Sequence, residues 1–206
     1  MKKLFVILLG VLMAVGVTSV ATAAMSFDID FYGLPGLEQG VMDTGETITM
    51  NVCQTVNVDL WVRDVPVGNG IPGYGFGFGV LPGSEVNFEI EGWEFLSPAL
   101  DTGRTATIDG GIAAEAFYWP PGTIKDGDLK LITLQLHCTK PSFDVLRIYD
   151  YWPDSTQWVL KDGTELDATI LPQQLANLNQ VPIPGALWLL GSGLFGLIGI
   201  RRKMKK

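Results

Sequence analysis

From Thr47 to Ile170 apolar and polar residues alternate with a period of two. Val56, Val58, Leu60 and Val62 fall on one side of this pattern, and Asn57, Asp59, Trp61 and Arg63 on the other. Tyr74, Phe76, Phe78 and Val80 alternate with Gly75, Gly77 and Gly79. Val86, Phe88 and Ile90 alternate with Asn87, Glu89 and Glu91, and Ile132, Leu134, Leu136 and Cys138 with Thr133, Gln135 and His137. Successive side chains of a strand point to opposite faces, so the pattern predicts strands with one buried and one wet face. Turn-forming groups separate the runs: Pro66 to Gly73, Pro82-Gly83-Ser84, Asp109-Gly110-Gly111, Pro120-Pro121-Gly122, Asp126-Gly127-Asp128 and Asp162-Gly163. Only Gln173 to Leu178 offers a helical alternative. About eight short antiparallel strands predict an all-β sandwich of two packed sheets over 24–170. Residues 171–180, Leu-Pro-Gln-Gln-Leu-Ala-Asn-Leu-Asn-Gln, read as a polar linker.

Both ends of the chain break the alternation. Met1-Lys2-Lys3 is followed by an uncharged apolar run from Leu4 to Val17, and Ala21-Thr22-Ala23 fits the small-x-small rule of signal peptidase. Residues 1–23 therefore read as a signal peptide cut after Ala23, rather than an uncleaved membrane helix. That places the body in an oxidising compartment. At the other end, Val181-Pro182-Ile183-Pro184-Gly185 precedes an uncharged segment, Ala186 to Ile200, and a basic end, Arg201-Arg202-Lys203-Met204-Lys205-Lys206. Fifteen residues in a helix span about 22 Å, short of the ~30 Å bilayer core. The prolines stop such a transmembrane helix from extending upstream, and its basic end stays on the cytoplasmic side.

This three-part tail, residues 181–206, resembles the PEP-CTERM sorting signal of Gram-negative bacteria. Pro182 and Pro184 match the two prolines of the motif; Ile183 stands where the family usually has Glu, as in a Val-Pro-x-Pro variant. The apolar run closed by Arg201, Arg202 and Lys203 completes the match. The resemblance implies passage through the inner membrane, cleavage by an exosortase, and delivery to the cell surface or the extracellular polymer matrix of a biofilm. The alternative is a plain C-terminal anchor holding a binding domain on the periplasmic side.

Charge narrows the partners. All 22 Asp and Glu lie between the two end segments, with seven Lys and Arg, so the body carries a net charge of −15. A surface that acidic repels phosphate backbones and excludes a nucleic-acid partner. The body is long enough for one core and reads as one domain.

Three of its strands carry a second resemblance. Asn51-Val52-Cys53-Gln54-Thr55-Val56-Asn57-Val58-Asp59-Leu60-Trp61-Val62 looks like the first strand of cohesin-like domains, with Cys53 in place of a glycine. Gly73-Tyr74-Gly75-Phe76-Gly77-Phe78 is similar to their next strand, and Lys125-Asp126-Gly127-Asp128-Leu129-Lys130-Leu131-Ile132-Thr133-Leu134 to a late one. The resemblance spans roughly 45–171. It implies a nine-stranded jelly-roll sandwich, the architecture shared with some carbohydrate-binding modules. It does not imply dockerin binding, because that surface cannot be matched residue by residue.

Few residues suggest chemistry. Cys53 and Cys138 are the only cysteines; a disulfide between them would close an 86-residue loop and add about 4 kcal/mol in the chain-entropy model. The other reading is two separate buried thiols. His137 is the only histidine, and it points away from Cys138 on the same strand, which argues against a zinc site and a Cys–His dyad. Its neighbours Thr133 and Gln135 suggest an open polar face rather than a catalytic cleft. Glu89, Glu91, Glu94, Asp126 and Asp128 read as solvated acidic surface, and a glycosidase needs two carboxylates converging in a cleft. Asp126-Gly127-Asp128 offers oxygen ligands to calcium, but no EF-hand-like run is present. No other metal or cofactor is expected. Gly73, Gly75, Gly77 and Gly79 lie within a strand and do not form a dinucleotide fingerprint; they let a ring or chain segment approach closely. Trp119, Tyr151 and Trp152 sit beside prolines and are candidates for stacking on sugars, or for capping the core. Together these observations predict an exported, non-enzymatic surface or matrix protein. A displayed carbohydrate-binding module, engaging extracellular polysaccharide, is the alternative.

Overall fold

A computed structural model of the chain describes residues 25–95, 100–108, 111–118, 125–152, 158–166, 171–182 and 185, without the side chains of 100–107 and 118. The leader with Ala21 and Ala23, Trp119, Ile183, Pro184 and the basic end with Arg201, Arg202 and Lys203 lie outside these residues. Among the described residues, and in chain order, the strands are β1 (Ser26–Tyr32), β2 (Thr47–Asn51), β3 (Thr55–Val65), β4 (Gly73–Gly79), β5 (Phe88–Glu94), β6 (Leu100–Ile108), β7 (Gly111–Tyr118), β8 (Gly127–Cys138), β9 (Ser142–Tyr149) and β10 (Gln173–Val181). They form a four-stranded sheet, β1-β3-β8-β5, and a six-stranded sheet, β2-β10-β9-β4-β7-β6. The pairings are antiparallel except for β2 against β10, which is parallel.

The inward positions follow the alternation. Val56, Val58, Leu60 and Val62 of β3 are buried, as are Ile132, Leu134 and Leu136 of β8, opposite Tyr74, Phe76, Phe78, Ile112, Leu146 and Ile148 of the other sheet. Burying each such side chain contributes about 1.5–3 kcal/mol. Trp158, outside any strand, closes the core: its ring meets Phe27 edge-on at 5.0 Å and stacks near Tyr74 at 5.8 Å. The Tyr74 hydroxyl donates to the Leu131 carbonyl at 2.7 Å, bonding one sheet to the other.

Two segments differ from the sequence reading. The stretch 171–180 is not a linker. Most of it is β10, an inner strand held between β2 and β9, with Leu175, Ala176 and Leu178 fully buried. A bulge between Gln174 and Ala176 shifts the register. Leu175 and Ala176 are consequently both buried in succession, which breaks the period of two. The alternation also starts earlier than Thr47: Phe27, Ile29 and Phe31 of β1 face the core. The sandwich thus runs from Ser26 to Val181.

Candidate interaction face

The outer face of the four-stranded sheet is polar, and its charges are used internally. Asp30 and Asp59 sit directly opposite each other in the β1–β3 ladder, each 1% exposed. Asp59 accepts from Thr133 Oγ1 at 2.5 Å, Lys130 Nζ at 2.8 Å and Tyr32 Oη at 3.3 Å. Asp30 Oδ2 accepts from the Gly40 amide at 2.7 Å, while Oδ1 has no partner. Burial, with the nearby Asp59 and Asp43 charges adding to it, raises the Asp30 pKa above the ordinary carboxylate range despite the Gly40 bond and Lys130. Arg63 bridges Asp28 and Asp128, both at 2.9 Å, and lies 4.8 Å above the Trp61 ring. His137 Nδ1 is 3.0 Å from Thr55 Oγ1 and 3.6 Å from Glu91 Oε1. The single histidine is therefore part of a surface polar cluster joining β3, β8 and β5.

The outer face of the six-stranded sheet is different. The outward positions of β4 are glycines, and aromatic rings take the space that side chains would fill. The Tyr149 ring lies over Gly77, and a Cβ on Gly73 would come within 2.6 Å of the Phe117 ring. Tyr149 is buried and its hydroxyl has no hydrogen-bond partner among the described residues; desolvation, then the neighbouring Tyr151, pushes its pKa up to about 12. Phe117 and Phe143 remain largely in solvent, at 57% and 60% exposure. Beside β9 runs an open groove of about 520 Å³, lined by Val80, Leu81, Glu85, Phe143, Val145 and Arg147 among others. Behind it Asp144 is buried and accepts from Ser142 Oγ and Gln180 Nε2, each at 2.6 Å. Neither the groove nor the Asp30–Asp59 pair was singled out in the sequence, because alternation separates faces but does not tell a wet polar position from a buried one.

The residues that were singled out come together only in part. Tyr151 and Trp152 are half-buried neighbours, 4.9 Å apart at an interplanar angle of 87°. They therefore do not present a shared flat face to a sugar ring. Cys53, in the turn between β2 and β3, donates its amide to the Cys138 carbonyl at the end of β8 at 2.8 Å, yet both are free thiols. The cysteines are thus unbonded in this structure and only one of them is buried, which differs from both sequence readings. The Cys138 side chain enters the core, where its thiol donates to Met50 Sδ at 3.6 Å, while Cys53 is exposed. Desolvation, with a smaller contribution from Asp144, raises the Cys138 pKa to about 12. Cys53 also has a φ of 68°, a left-handed conformation that glycine adopts without strain. Asp126 and Asp128 are committed to the Gly68 and Asp64 amides and to Arg63. Among the described residues no three acidic, imidazole or thiol groups converge as a metal site would require. Of the tail motif, Val181 is the last residue of β10 and Pro182 follows it.

The fold is that of cohesin modules. A cohesin module from a family 33 glycoside hydrolase of Clostridium perfringens superposes with a TM-score of 0.54 at 12% identity, covering 78% of this chain and 98% of the module. A type III cohesin module from the cellulosomal ScaE cell-surface anchoring scaffoldin of Ruminococcus flavefaciens gives 0.50 at 12% identity, covering 81% and 93%. At such identities the likeness concerns the fold alone. No family model and no curated protein matches the sequence.

Proposed function

We propose that this chain is an exported, non-catalytic surface or extracellular-matrix protein: one cohesin-type binding sandwich, translocated by its signal peptide and cut at its C-terminal motif by an exosortase. The observation that supports this reading is the place where the last strand stops. β10 is an inner strand, and its pairing with β2 runs through to Val181. The Val52 amide donates to the Val181 carbonyl at 2.9 Å. The proline motif begins on that same residue. A cut after Val181, within the motif, leaves every described strand of the sandwich in one piece. The sandwich then offers a partner the outer face of its six-stranded sheet, where Phe117 and Phe143 stand in solvent.

The test is the intact mass of the native protein in each cell fraction. The expected species lacks residues 1–23 and ends within Val181 to Pro184, at the cell surface or in the matrix. A membrane-bound species that retains Arg201 to Lys206 would refute sorting and leave a tethered periplasmic domain.

A further inference from the structure

The six-stranded sheet has a gap between two of its inner strands. β9 pairs with β10 along Ser142–Ile148, but with β4 only at Arg147, Ile148 and Tyr149. After Gly79 the chain leaves the sheet through Val80 and the Pro82-Gly83-Ser84 turn and joins the other sheet as β5. From Ser142 to Leu146, the side of β9 facing away from β10 has no backbone partner among the described residues. The fold treats the β1 edge of the other sheet differently. Along β1, the Ile29 and Phe31 amides donate to Thr44 Oγ1 and Asp43 Oδ2, and the Ile29 carbonyl accepts from the Asp43 amide. Uncovered strand edges are ready templates for another chain, and proteins usually blunt them as β1 is blunted here.

The groove fills the place that a neighbouring strand would take. Its floor and walls carry the alternate outward side chains of β9, namely Phe143, Val145 and Arg147, with Leu81 across from them at 41% exposure. Arg147 makes no ion pair among the described residues, although the body around it carries a net charge of −15. Arg63 and Lys130, by contrast, are each bound to carboxylates.

We propose that this groove binds an extended peptide segment of a partner protein, which adds to β9 as a strand. The segment places one acidic side chain against Arg147 and apolar side chains against Phe143 and Leu81. Main-chain bonds to the free edge supply affinity, and the side chains two apart on β9 supply selectivity. A second copy of this chain is a poorer occupant, because two bodies of −15 repel each other. The inference rests on the reading of the sandwich as a binding module, but its test is independent of processing.

The experiment selects binders from a random dodecapeptide display library on the full chain in detergent micelles. One enriched peptide is then followed by fluorescence anisotropy and amide hydrogen exchange. The expected peptides alternate apolar and polar positions with one acid, and they slow exchange of amides within Ser142–Leu146. Arg147→Glu weakens such a peptide by about tenfold and Phe143→Ser by a similar factor, with the unfolding midpoint unchanged. Absence of enrichment, or protection that falls elsewhere, overturns the proposal. So does protection of the same amides by dimerisation without peptide, which would make a second copy the occupant. A chain processed at Val181–Pro184 that selects no strand-adding peptide overturns this inference alone.

Discussion

Replacing Asp30 by Asn should make the protein more stable at neutral pH. Asp30 and Asp59 are opposite residues of one ladder, both fully buried. Their Cβ atoms are therefore about 5 Å apart. Two unit charges at that separation repel by about 3 kcal/mol at an effective dielectric of about 20. Lys130 offsets part of this, and it is bonded to Asp59 rather than to Asp30. Neutralising Asp30 also weakens its bond from the Gly40 amide by about 1 kcal/mol. The net expectation is a gain of about 1 kcal/mol, or about 2–4 °C in Tm for a domain of this size. The sign of the pH dependence follows from the raised pKa. An acid whose folded pKa lies above its unfolded value stabilises the fold most below the unfolded pKa. That contribution is lost as pH rises through the folded pKa. The advantage of Asp30→Asn should thus be full at neutral pH and shrink as the wild-type carboxyl takes up its proton. Urea unfolding of both full chains in micelles, at neutral pH and near pH 4, measures it. A destabilised variant at neutral pH, or the same difference at both pH values, would refute the reasoning.

Asp59→Asn relieves the same repulsion but takes the charged partner from Lys130 and weakens the bonds from Thr133 and Tyr32, so it should stabilise less than Asp30→Asn or not at all; a gain as large as that of Asp30→Asn in the same urea series would count against the network. Cys53→Gly should stabilise by about 0.5–1 kcal/mol by relieving a left-handed residue, read as a raised urea midpoint at constant slope. Gly77→Ala should destabilise by about 1–3 kcal/mol, because its Cβ meets the Tyr149 ring. Adding Tyr149→Ser should recover part of that loss in a double-mutant cycle, and strict additivity would mean the two residues do not clash. Iodoacetamide should label Cys53 in the folded chain but Cys138 only after unfolding, since the buried thiol is pushed up to about 12. Peptide mass mapping would expose the error if both reacted at one rate.

Residues that lie on regular strands were the legible part of this fold. Each of the alternating runs of β3, β4 and β8 buries the set of side chains that the pattern separates. β10 was hidden for a local reason. Its bulge places Leu175 and Ala176 both in the core, and its inward end is Gln180, a buried amide bonded to Asp144. A polar residue at an inward position, next to a break in the period, looks like linker sequence. The Asp30–Asp59 pair was hidden for a different reason. A carboxylate at an outward position is wet only if its ladder neighbours leave it so. Here Tyr32, Lys130 and Thr133 converge on Asp59 from two other strands. That convergence depends on strand order, which a single sequence does not display. The groove depends on strand length: it exists because β4 turns away after Gly79 while β9 continues back to Ser142.

The two outer faces therefore differ in what they can offer a partner. On the four-stranded sheet, Arg63, Lys130 and His137 are already bonded to neighbours on the same face. A partner that takes one of these groups must first break its existing bonds, and taking Lys130 leaves the buried Asp59 carboxylate without its charged partner, at a cost of several kcal/mol unless it is re-paired. The six-stranded sheet has outward bonds of its own, among Gln174, Asn177, Asn179, Thr47 and Thr49, but they lie on β10 and β2, away from the β9 edge that faces the groove. Phe143 and Phe117 are solvated apolar surface, Arg147 has no ion pair among the described residues, and the β9 edge beside it has unused backbone groups. A partner there buries solvated apolar surface, which adds to affinity, and pairs with backbone groups that have no partner among the described residues. The same consideration explains why the polar cluster around His137 is a poor site for chemistry. A catalytic imidazole needs a substrate within reach of its free nitrogen and water kept out, whereas this ring lies on an open strand face between Thr55 and Glu91. The β9 edge, with unpaired backbone groups and an Arg147 that makes no ion pair among the described residues, is the part of the sandwich that fits a binding role.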